Sequence, residues 1–453
     1  MTPAEAFARL ATDLVETDPD LVAGYAHDEA TLTGTGAPAA VLLPRTTDDV
    51  ARMLNIAHTH CIPVVTRGAG SGLSGAATAP PGSVVLSTHR MAAIREIDPV
   101  ERLAVVEPGV VTADLGAAAR AVGLFYPPDP GSIAFCTVGG NVATNAGGMC
   151  CVKYGVTGDF VLGLEVVLAD GTVTRTGRRT AKGVAGYDLT ALLVGSEGTL
   201  GVITEVTLRL LPAPSPARTL VATFPSLRAA GSAVGALAAE GVPLSMLEIL
   251  DRTTLGAIDA ATGMGIAHGI AAMVLAQCDD IAATDTIARV GRLCEQHGAD
   301  EVAVSDDDAE ADALLEARRQ ALPSLERLGD WILDDVCVPR SQVVALIDRV
   351  EEVAAAEGLV IGVFGHAGDG NMHPTIVYDR HDDASAAAAR RAFDAITRAA
   401  LDLGGTITGE HGIGRLKRDW LTEELDPGAL AMSRAVKAAL DPLGILNPGC
   451  VLA

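Results

Sequence analysis

The stretch that decides the fold is "VVTRGAGSGLSGAATAPPGS", residues 64–83, in which a short apolar strand runs into a glycine-rich loop. Gly70, Gly72 and Gly75 reproduce the G-x-G-x-x-G spacing of dinucleotide-binding loops. A Rossmann fold also requires a helix that opens on the third glycine, with its N-terminus facing a pyrophosphate. The two adjacent prolines that follow would end such a helix almost at once. The Rossmann fold is therefore excluded.

The same loop predicts a nest of backbone amides that binds an anion, because glycines let successive N–H groups point together. Arg67 stands at the head of the loop and would support either the loop or bound phosphates. The alternative is an ordinary glycine-rich surface turn. Two further loops of similar composition, "PPDPGS" at 127–132 and "NVATNAGG" at 141–148, favour the nest.

Length and composition limit the classes of protein. A chain of 453 residues, 49% apolar and 20% charged, is typical of a soluble globular protein with two or three domains. The formal charge of −24 repels phosphate backbones and anionic lipids, so we expect no nucleic-acid partner. No run of about eighteen apolar residues occurs, so we expect no membrane-spanning helix.

The cysteines and the N-terminal sequence indicate the compartment. None of the eight cysteines forms a Cys-x-x-Cys pair, so neither a zinc ribbon nor an iron–sulfur cluster is predicted. The first twenty residues are acidic and lack the basic start and apolar stretch of a signal peptide. We therefore expect a cytoplasmic protein with reduced thiols.

Periodicity and turn residues divide the chain into two halves. Helical patterns cover about 2–16 and 46–60, and short strands alternate with helices up to the proline cluster "LPAPSPART" at 211–219, which reads as a domain boundary. Beyond this cluster, strand and helix patterns alternate in a way that favours a β-α-β-β-α-β, ferredoxin-like arrangement. The predicted fold class is α+β.

A second motif, "VFGHAGDGNMHP" at 363–374, places two of only ten histidines around an Asp-Gly turn signal. Such a hairpin would carry His366 and His373 to the same end of a sheet, where two imidazoles can begin a metal site. A lone histidine in an apolar strand is usually structural, so a third ligand is needed. "GTITGEHGIG" offers Glu410, with His411 beside it. Two imidazoles and a carboxylate suit a catalytic divalent metal.

The order of these motifs resembles one group of flavoproteins. "VVTRGAGSGLSGAA", "PPDPGS", "TVGGNVATNAGG", "KYG", "LVGSEGTLGVIT", "HAGDGNMHP", "GEHGIG" and "LNPG" follow one another along the chain. The chain is similar to the FAD-linked D-2-hydroxy acid dehydrogenases, which include the FAD subunit of glycolate oxidase, D-lactate dehydrogenases and D-2-hydroxyglutarate dehydrogenase. These enzymes belong to the vanillyl-alcohol-oxidase-type FAD superfamily. The resemblance covers residues 38 to about 450.

The resemblance implies the domain organisation: a two-subdomain FAD-binding domain of the vanillyl-alcohol-oxidase type and a ferredoxin-like α+β substrate (cap) domain. The expected segments are an N-terminal helical segment at 1–37, the FAD-binding domain at 38–215, the substrate domain with the metal site at 216–440, and a C-terminal tail at 441–453 that returns to the FAD domain.

The resemblance also implies the FAD contacts. The residues expected at the pyrophosphate are Arg67, Gly68, Ala69, Gly70, Ser71 and Gly72. Those expected near the isoalloxazine ring or its linker are Pro130, Gly131, Ser132, Gly139, Asn141, Thr144 and Gly148, with Asn447 in the returning tail. Those expected on the adenine side are Glu197, Gly201, Val202 and Ile203. Residues 61–88 contain no histidine for a covalent link, so non-covalent FAD is expected.

His366, His373 and Glu410 fall on the metal-ligand positions of the zinc-containing relatives, and manganese or iron could occupy the same ligands. His411 falls on a catalytic position, and Arg318 on the arginine expected to bind the substrate carboxylate. The implied reaction is oxidation of a 2-hydroxy acid to the 2-oxo acid by hydride transfer to flavin N5, with the metal lowering the pKa of the hydroxyl.

Two departures from the relatives bear on the substrate. Leu322 and Leu333 stand where the hydroxyglutarate enzymes carry a threonine and a lysine for the second carboxylate. We therefore expect a small monocarboxylic acid, D-lactate or glycolate. A D-2-hydroxyglutarate dehydrogenase and an FAD-binding subunit of a glycolate-oxidase-like complex, inactive alone, are the alternatives. The electron acceptor could be a quinone, a cytochrome, an electron-transfer flavoprotein or oxygen, and a dimer or partner subunits are possible at this point.

Overall fold

The computed structural model describes residues 2–30, 32–34, 36–180, 182–266, 268–305 and 307–452. The chain divides into two compact units. The first unit comprises Met1–Gly147, Val156–Ala213 and Glu410–Ala453, and the second comprises Gly148–Gly155 and Pro214–Gly409.

The α-helices are, in chain order, α1 (Pro3–Ala6), α2 (Pro19–Ala23), α3 (Thr47–His60), α4 (Thr112–Arg120), α5 (Val138–Thr144), α6 (Cys151–Tyr154), α7 (Leu189–Leu193), α8 (Leu227–Ala239), α9 (Arg252–Thr262), α10 (Ala283–Gln296), α11 (Asp308–Arg319), α12 (Ala321–Glu326), α13 (Val343–Glu357), α14 (Asp383–Asp402), α15 (Leu421–Glu424) and α16 (Pro427–Leu440). The strands are β1 (Val15–Glu16), β2 (Ala40–Leu42), β3 (Val64–Arg67), β4 (Val84–Ser87), β5 (Ile94–Asp98), β6 (Leu103–Val106), β7 (Leu124–Phe125), β8 (Val161–Val167), β9 (Val173–Gly177), β10 (Val202–Arg209), β11 (Leu211–Pro212), β12 (Arg218–Phe224), β13 (Met246–Asp251), β14 (Ala272–Cys278), β15 (Glu301–Val304), β16 (Asp330–Leu333), β17 (Val336–Cys337), β18 (Val360–His366) and β19 (Asn371–Tyr378).

The first unit contains two main sheets. In the four-stranded sheet the order is β1-β2-β4-β3, and β4 pairs in parallel with both β2 and β3. The five-stranded sheet is antiparallel, with the order β5-β6-β10-β8-β9. Because β3 ends at Arg67, the glycine-rich loop leaves the sheet at the carboxyl end of a parallel strand, where ligands of such sheets commonly bind.

Helix α3 shows why the first sheet is stable. Thr46 and Asp49 form a capping box that satisfies two backbone N–H groups at the helix start. Val50, Met53 and Leu54 recur at helical spacing, and all three are fully buried against the strands. The helix predicted at 46–60 is confirmed.

The second unit forms one eight-stranded antiparallel sheet in the described residues. The order β15-β12-β14-β13 places the fourth, first, third and second strands of a β-α-β-β-α-β unit side by side, with α8 and α10 as its crossovers. This is the predicted ferredoxin-like arrangement, with one additional helix, α9, between the second and third strands. Beyond β13 the sheet continues into the hairpin β18–β19 and then β16.

The N-terminal region differs from its predicted structure. A single helix over residues 2–16 is wrong, because α1 ends at Ala6 and Val15 and Glu16 pair with β2. Here the ladder with Leu42 and Val41 overrides a weak helical pattern.

Aliphatic side chains dominate the core, as the low aromatic content of 3% requires. Within the described ranges, every helix is too short or too polar to cross a bilayer.

Candidate active site

The histidine hairpin of the second unit brings two buried imidazoles together. His366 ends β18 and His373 lies on β19, two strands in antiparallel register. The backbone N–H of Gly370 donates to the carbonyl of His366 at 2.9 Å and closes the turn. Gly370 has φ +90°, and a Cβ there would lie 2.0 Å from the carbonyl oxygen of Val338, so only glycine fits. The Nε2 atoms of the two histidines lie 3.3 Å apart.

This spacing fits a metal ion. Two nitrogens bound at about 2.1 Å to one tetrahedral ion lie about 3.4 Å from each other. The side chains of His366 and His373 are only 6% and 4% exposed, so both imidazoles are largely withdrawn from water. The two rings face each other through their Nε2 atoms, with ring planes nearly perpendicular.

Glu248, on β13, links His366 to Arg318. Its carboxylate is fully buried and accepts a hydrogen bond from Nδ1 of His366 at 2.6 Å. The other carboxylate oxygen accepts from Nε of Arg318, near the end of α11. The Arg318 guanidinium also lies over the ring of Phe364, with Cζ 4.7 Å from its centroid. Arg318 and the histidine hairpin therefore belong to one buried cluster.

The charge state of Glu248 follows from these contacts. Burial by itself raises the pKa of a carboxyl, but the charges of His366 and Arg318 and their hydrogen bonds lower the pKa of Glu248 to about 2. Glu248 is thus an anion at neutral pH.

A second buried carboxylate lies beside His373. Oδ1 of Asp335 is 3.8 Å from Nδ1 of His373. Oδ2 of Asp335 accepts from the hydroxyl of Thr408 at 2.7 Å and from the backbone N–H of Gly409 at 3.0 Å. These bonds fix the chain in the residues immediately before Glu410.

Glu410 and His411 lie in the first unit. Nε2 of His411 is 3.5 Å from Oε1 of Glu410, and both side chains are partly buried. The hydroxyl of Ser74, in the glycine-rich loop, donates to the carbonyl of His411 at 3.0 Å. The "GEHGIG" segment is thus anchored to the glycine-rich loop.

Glu197 holds the same segment from the other side. Its fully buried carboxylate accepts from the backbone N–H groups of Ile413 and Gly414, each at 2.8 Å. Burial raises the pKa of Glu197 to about 7, although these two N–H groups oppose the shift. Glu197 was expected to line the adenine side of FAD, and that role stays a prediction. Its carboxylate oxygens are used to hold residues 413–414.

The glycine-rich loop has the free donors that an anion requires. In the described chain, the backbone N–H groups of residues 68–72 donate to no protein acceptor. The Arg67 guanidinium donates to the carbonyl of His27 at 2.7 Å, so it supports the loop. Gly70 has φ +81°, and a Cβ there would lie 2.1 Å from Cζ of Arg67. Consecutive unpaired amides at the end of a parallel strand fit the pyrophosphate of FAD.

The other predicted FAD residues of the first unit occupy three places. Pro130, Gly131 and Ser132 lie in the loop after β7. Gly139, Asn141 and Thr144 lie on α5, where the buried Asn141 amide donates to Thr112. Gly201 directly precedes β10, and Val202 and Ile203 are the first two residues of that strand and are buried.

The remaining two predicted FAD residues, Gly148 and Asn447, lie outside these three places. Gly148 falls in the second unit, where its N–H donates to the sulfur of Cys151. Asn447 packs in the first unit, and its amide donates to the carbonyls of Ala76 and Glu197, each at 2.8 Å. The tail therefore returns to the glycine-rich loop and to Glu197.

Sequence reasoning missed Glu248, Asp335 and Ser74. A signal existed for the first, because a single glutamate interrupts the apolar strand "PLSMLEIL" at a position where burial requires a charged partner. Asp335 carries a weaker signal in "ILDDVC", and Ser74 carries none beyond its place in the loop.

Comparison with known protein families agrees with this arrangement. The FAD binding domain family matches residues 38–177, and the C-terminal domain of the FAD linked oxidases matches residues 213–451. Together these matches cover most of the chain.

Individual proteins give the same result. A glycolate oxidase subunit (GlcD) of Bacillus subtilis is 42% identical over 95% of this chain and 92% of its own length. A D-lactate dehydrogenase of Anaerostipes hadrus is 33% identical over 98% of this chain and 96% of its own length. The structure of a 4-ethylphenol oxidase from Gulosibacter chungangensis covers 99% of this chain and 95% of its own, with a TM-score of 0.80 at 22% identity, which shows a shared fold. This chain therefore belongs to the FAD-linked oxidase family, as an oxidoreductase of the glycolate oxidase and D-lactate dehydrogenase type.

Proposed function

We propose that the protein oxidises a small D-2-hydroxy acid, D-lactate or glycolate, to the corresponding 2-oxo acid with the help of a divalent metal. The observation that carries this proposal is the pair of buried imidazoles whose Nε2 atoms lie 3.3 Å apart. Oxidation of phenols, or FAD chemistry without net oxidation, has no need of such a pair. A 2-hydroxy acid can chelate a dication through its hydroxyl and one carboxylate oxygen.

The metal ligands in this proposal are His366, His373 and Glu410, a set that suits zinc and also accepts manganese or iron. A bound dication supplies a Lewis acid that lowers the pKa of the substrate hydroxyl. His411 takes the hydroxyl proton as general base.

Arg318 binds the substrate carboxylate. Its Nε is used by Glu248, and in the described chain its two Nη groups donate to no protein acceptor. The side chain is only 11% exposed, so these unused donors have little water to bind. A carboxylate would satisfy both of them with bidentate geometry.

FAD is held without a covalent link, with its pyrophosphate on the free amides of residues 68–72. Bound FAD supplies the acceptor for the hydride that leaves the substrate Cα. The electrons pass on to a quinone, a cytochrome, an electron-transfer flavoprotein or oxygen. We place the protein in the cytoplasm.

The test is a panel of D- and L-2-hydroxy acids with the FAD-loaded chain and an artificial dye as acceptor. We expect kcat/KM for D-lactate or glycolate to exceed that for D-2-hydroxyglutarate by at least about 10-fold, because Leu322 and Leu333 give the second carboxylate no polar partner. Chelation of the metal should abolish dye reduction, and zinc or manganese should restore it. A faster reaction with D-2-hydroxyglutarate, or full activity in chelator, would contradict the proposal.

A second candidate is an FAD-binding subunit that is inactive without partners. It is favoured by the Bacillus subtilis relative, whose name describes it as a glycolate oxidase subunit. The same substrate panel distinguishes the two candidates. The chain purified alone reduces the dye if it is an enzyme by itself, and it does not reduce the dye if it is a subunit that requires partners.

A further inference from the structure

We propose that Glu248 is a positioning residue that fixes both the substrate-binding arginine and a metal-binding histidine through one carboxylate. The inference rests on the proposed function, because it assigns Arg318 to the substrate and His366 to the metal. Glu248 itself touches neither ligand in this account. It acts through the two side chains that do.

The geometry divides the carboxylate between two tasks. Glu248 is fully buried on β13, one oxygen facing Nδ1 of His366 at 2.6 Å and the other facing Nε of Arg318. An ionised carboxylate can only accept, so each neighbour must present a hydrogen to it. The orientation of both neighbours is therefore set from one point.

For His366, this contact selects the tautomer. A hydrogen on Nδ1 leaves the lone pair on Nε2, the nitrogen that faces His373 at 3.3 Å. A metal ligand needs that lone pair, and a carboxylate behind the ring also raises its basicity. Glu248 thus holds the imidazole of His366 in the tautomer that a metal ligand requires, whether or not an ion is bound.

For Arg318, the contact with Glu248 determines which guanidinium N–H groups remain available for the substrate carboxylate. Nε is bound to Glu248, while Phe364 lies against the face of the guanidinium at 4.7 Å. Together these contacts fix the plane of the fork and leave both Nη groups for the substrate carboxylate. The neighbouring Arg319 is more exposed, since 45% of its side chain is accessible, and it pairs with Glu316 at 3.7 Å.

The test is Glu248→Gln, studied as the FAD-loaded protein without substrate. A Gln side chain turns one acceptor into a donor, so one of the two contacts is lost. We expect zinc affinity, measured by competition with a chromophoric chelator, to fall 10- to 100-fold. In turnover, KM for D-lactate should rise at least about 10-fold, and Glu248→Asp should show smaller changes in both quantities.

The matched control is Asp251→Asn. Asp251 is a buried carboxylate on the same strand, but it caps α9 through the N–H of Thr254 at 2.8 Å. The control should leave zinc affinity and KM within about 2-fold of wild type. Equal losses in the two variants would mean that Glu248 is only structural, and this would overturn the inference.

The outcomes also distinguish the inference from the proposed function. If the wild-type protein binds no dication and does not oxidise D-lactate, the proposed function fails. If the wild type does both and Glu248→Gln does them equally well, the inference alone fails. Should Glu248→Gln not fold with FAD bound, Glu248→Asp carries the same test, and unchanged zinc affinity and KM in that variant would overturn the inference.

Discussion

Glu197 in the first unit and Glu248 in the second are both buried glutamates, yet their acidities move in opposite directions. Both carboxyls are withdrawn from water, and burial raises the pKa of each. The pKa of Glu197 ends at about 7 and that of Glu248 at about 2. The difference comes from their partners, which are the backbone N–H groups of Ile413 and Gly414 for Glu197 and the side chains of Arg318 and His366 for Glu248.

The comparison shows that backbone dipoles and full charges stabilise a buried carboxylate to different extents. Two N–H groups replace only part of the hydration that a buried carboxylate loses. At neutral pH the carboxyl group of Glu197, which holds residues 413–414, is therefore only partly ionised. A guanidinium and an imidazole recover more than is lost, so Glu248 stays ionised. A buried carboxylate that must stay ionised over a wide pH range requires the second environment.

The largest effect on stability should come from removing the guanidinium of Arg318, which pairs with Glu248. Arg318→Met keeps an apolar stem of similar length but leaves the buried carboxylate with His366 as its one strong partner. We expect the free energy of unfolding to fall by about 3–5 kcal/mol, as for other buried pairs that lose one member. Urea-induced unfolding of the FAD-loaded protein at pH 7 measures this loss.

Arg319→Met is the control for that variant, because Arg319 is the next residue along α11 and its side chain is 45% exposed. Its cost should stay below about 1 kcal/mol. Similar losses at the two arginines would mean that the helix end, and not the buried charge, determines stability.

A smaller effect, and one with a defined pH range, should come from Glu197. Its pKa is raised from 4.5 to about 7, so the folded protein binds this proton more tightly than the unfolded chain does. The associated stability is fully present below about pH 4.5 and is lost as pH rises to about 7, in total about 3 kcal/mol. Glu197→Gln carries no titrating group, so the free energy of unfolding should depend less steeply on pH across this range.

Urea unfolding at pH 5, 6, 7 and 8 gives the slopes for wild type and Glu197→Gln. Glu101→Gln, at an exposed turn, is the control and should follow the wild-type slope. Parallel curves for all three proteins would show that the buried Glu197 carboxyl does not titrate in this range, and the comparison with Glu248 would fail.

The features that sequence predicted well are local. The turn between β18 and β19 follows from Asp369-Gly370, and the capping box of α3 follows from Thr46 and Asp49. The failure of the Rossmann pattern also follows from residues within one short stretch. In each case the deciding contacts join residues a few positions apart, where spacing carries the information.

The sequence could not predict which residues pair with each other when they lie far apart along the chain. Glu248 and His366 are 118 residues apart, and Glu197 and Gly414 are 217 apart. An apolar strand with one glutamate says that a cation must be near, but not which one. Likewise the motif around Glu197 indicates FAD, while the use of its carboxylate to hold residues 413–414 requires coordinates.

The smallest effect should come from Glu165, which lies between the two extremes. Its carboxylate accepts from the hydroxyls of Thr47 and Thr204, at 2.6 and 3.0 Å, and from Arg175 at 2.6 Å. Burial opposes its ionisation, but these hydrogen bonds lower the pKa of Glu165. Because the Arg175 side chain is 71% exposed, water and salt screen its charge. Arg175→Gln should therefore cost less than about 1 kcal/mol in urea unfolding, and raising salt to about 1 M should reduce the difference further. A loss as large as that of Arg318→Met would show that the hydroxyls contribute little, and that a charge partner is needed wherever a carboxylate leaves water.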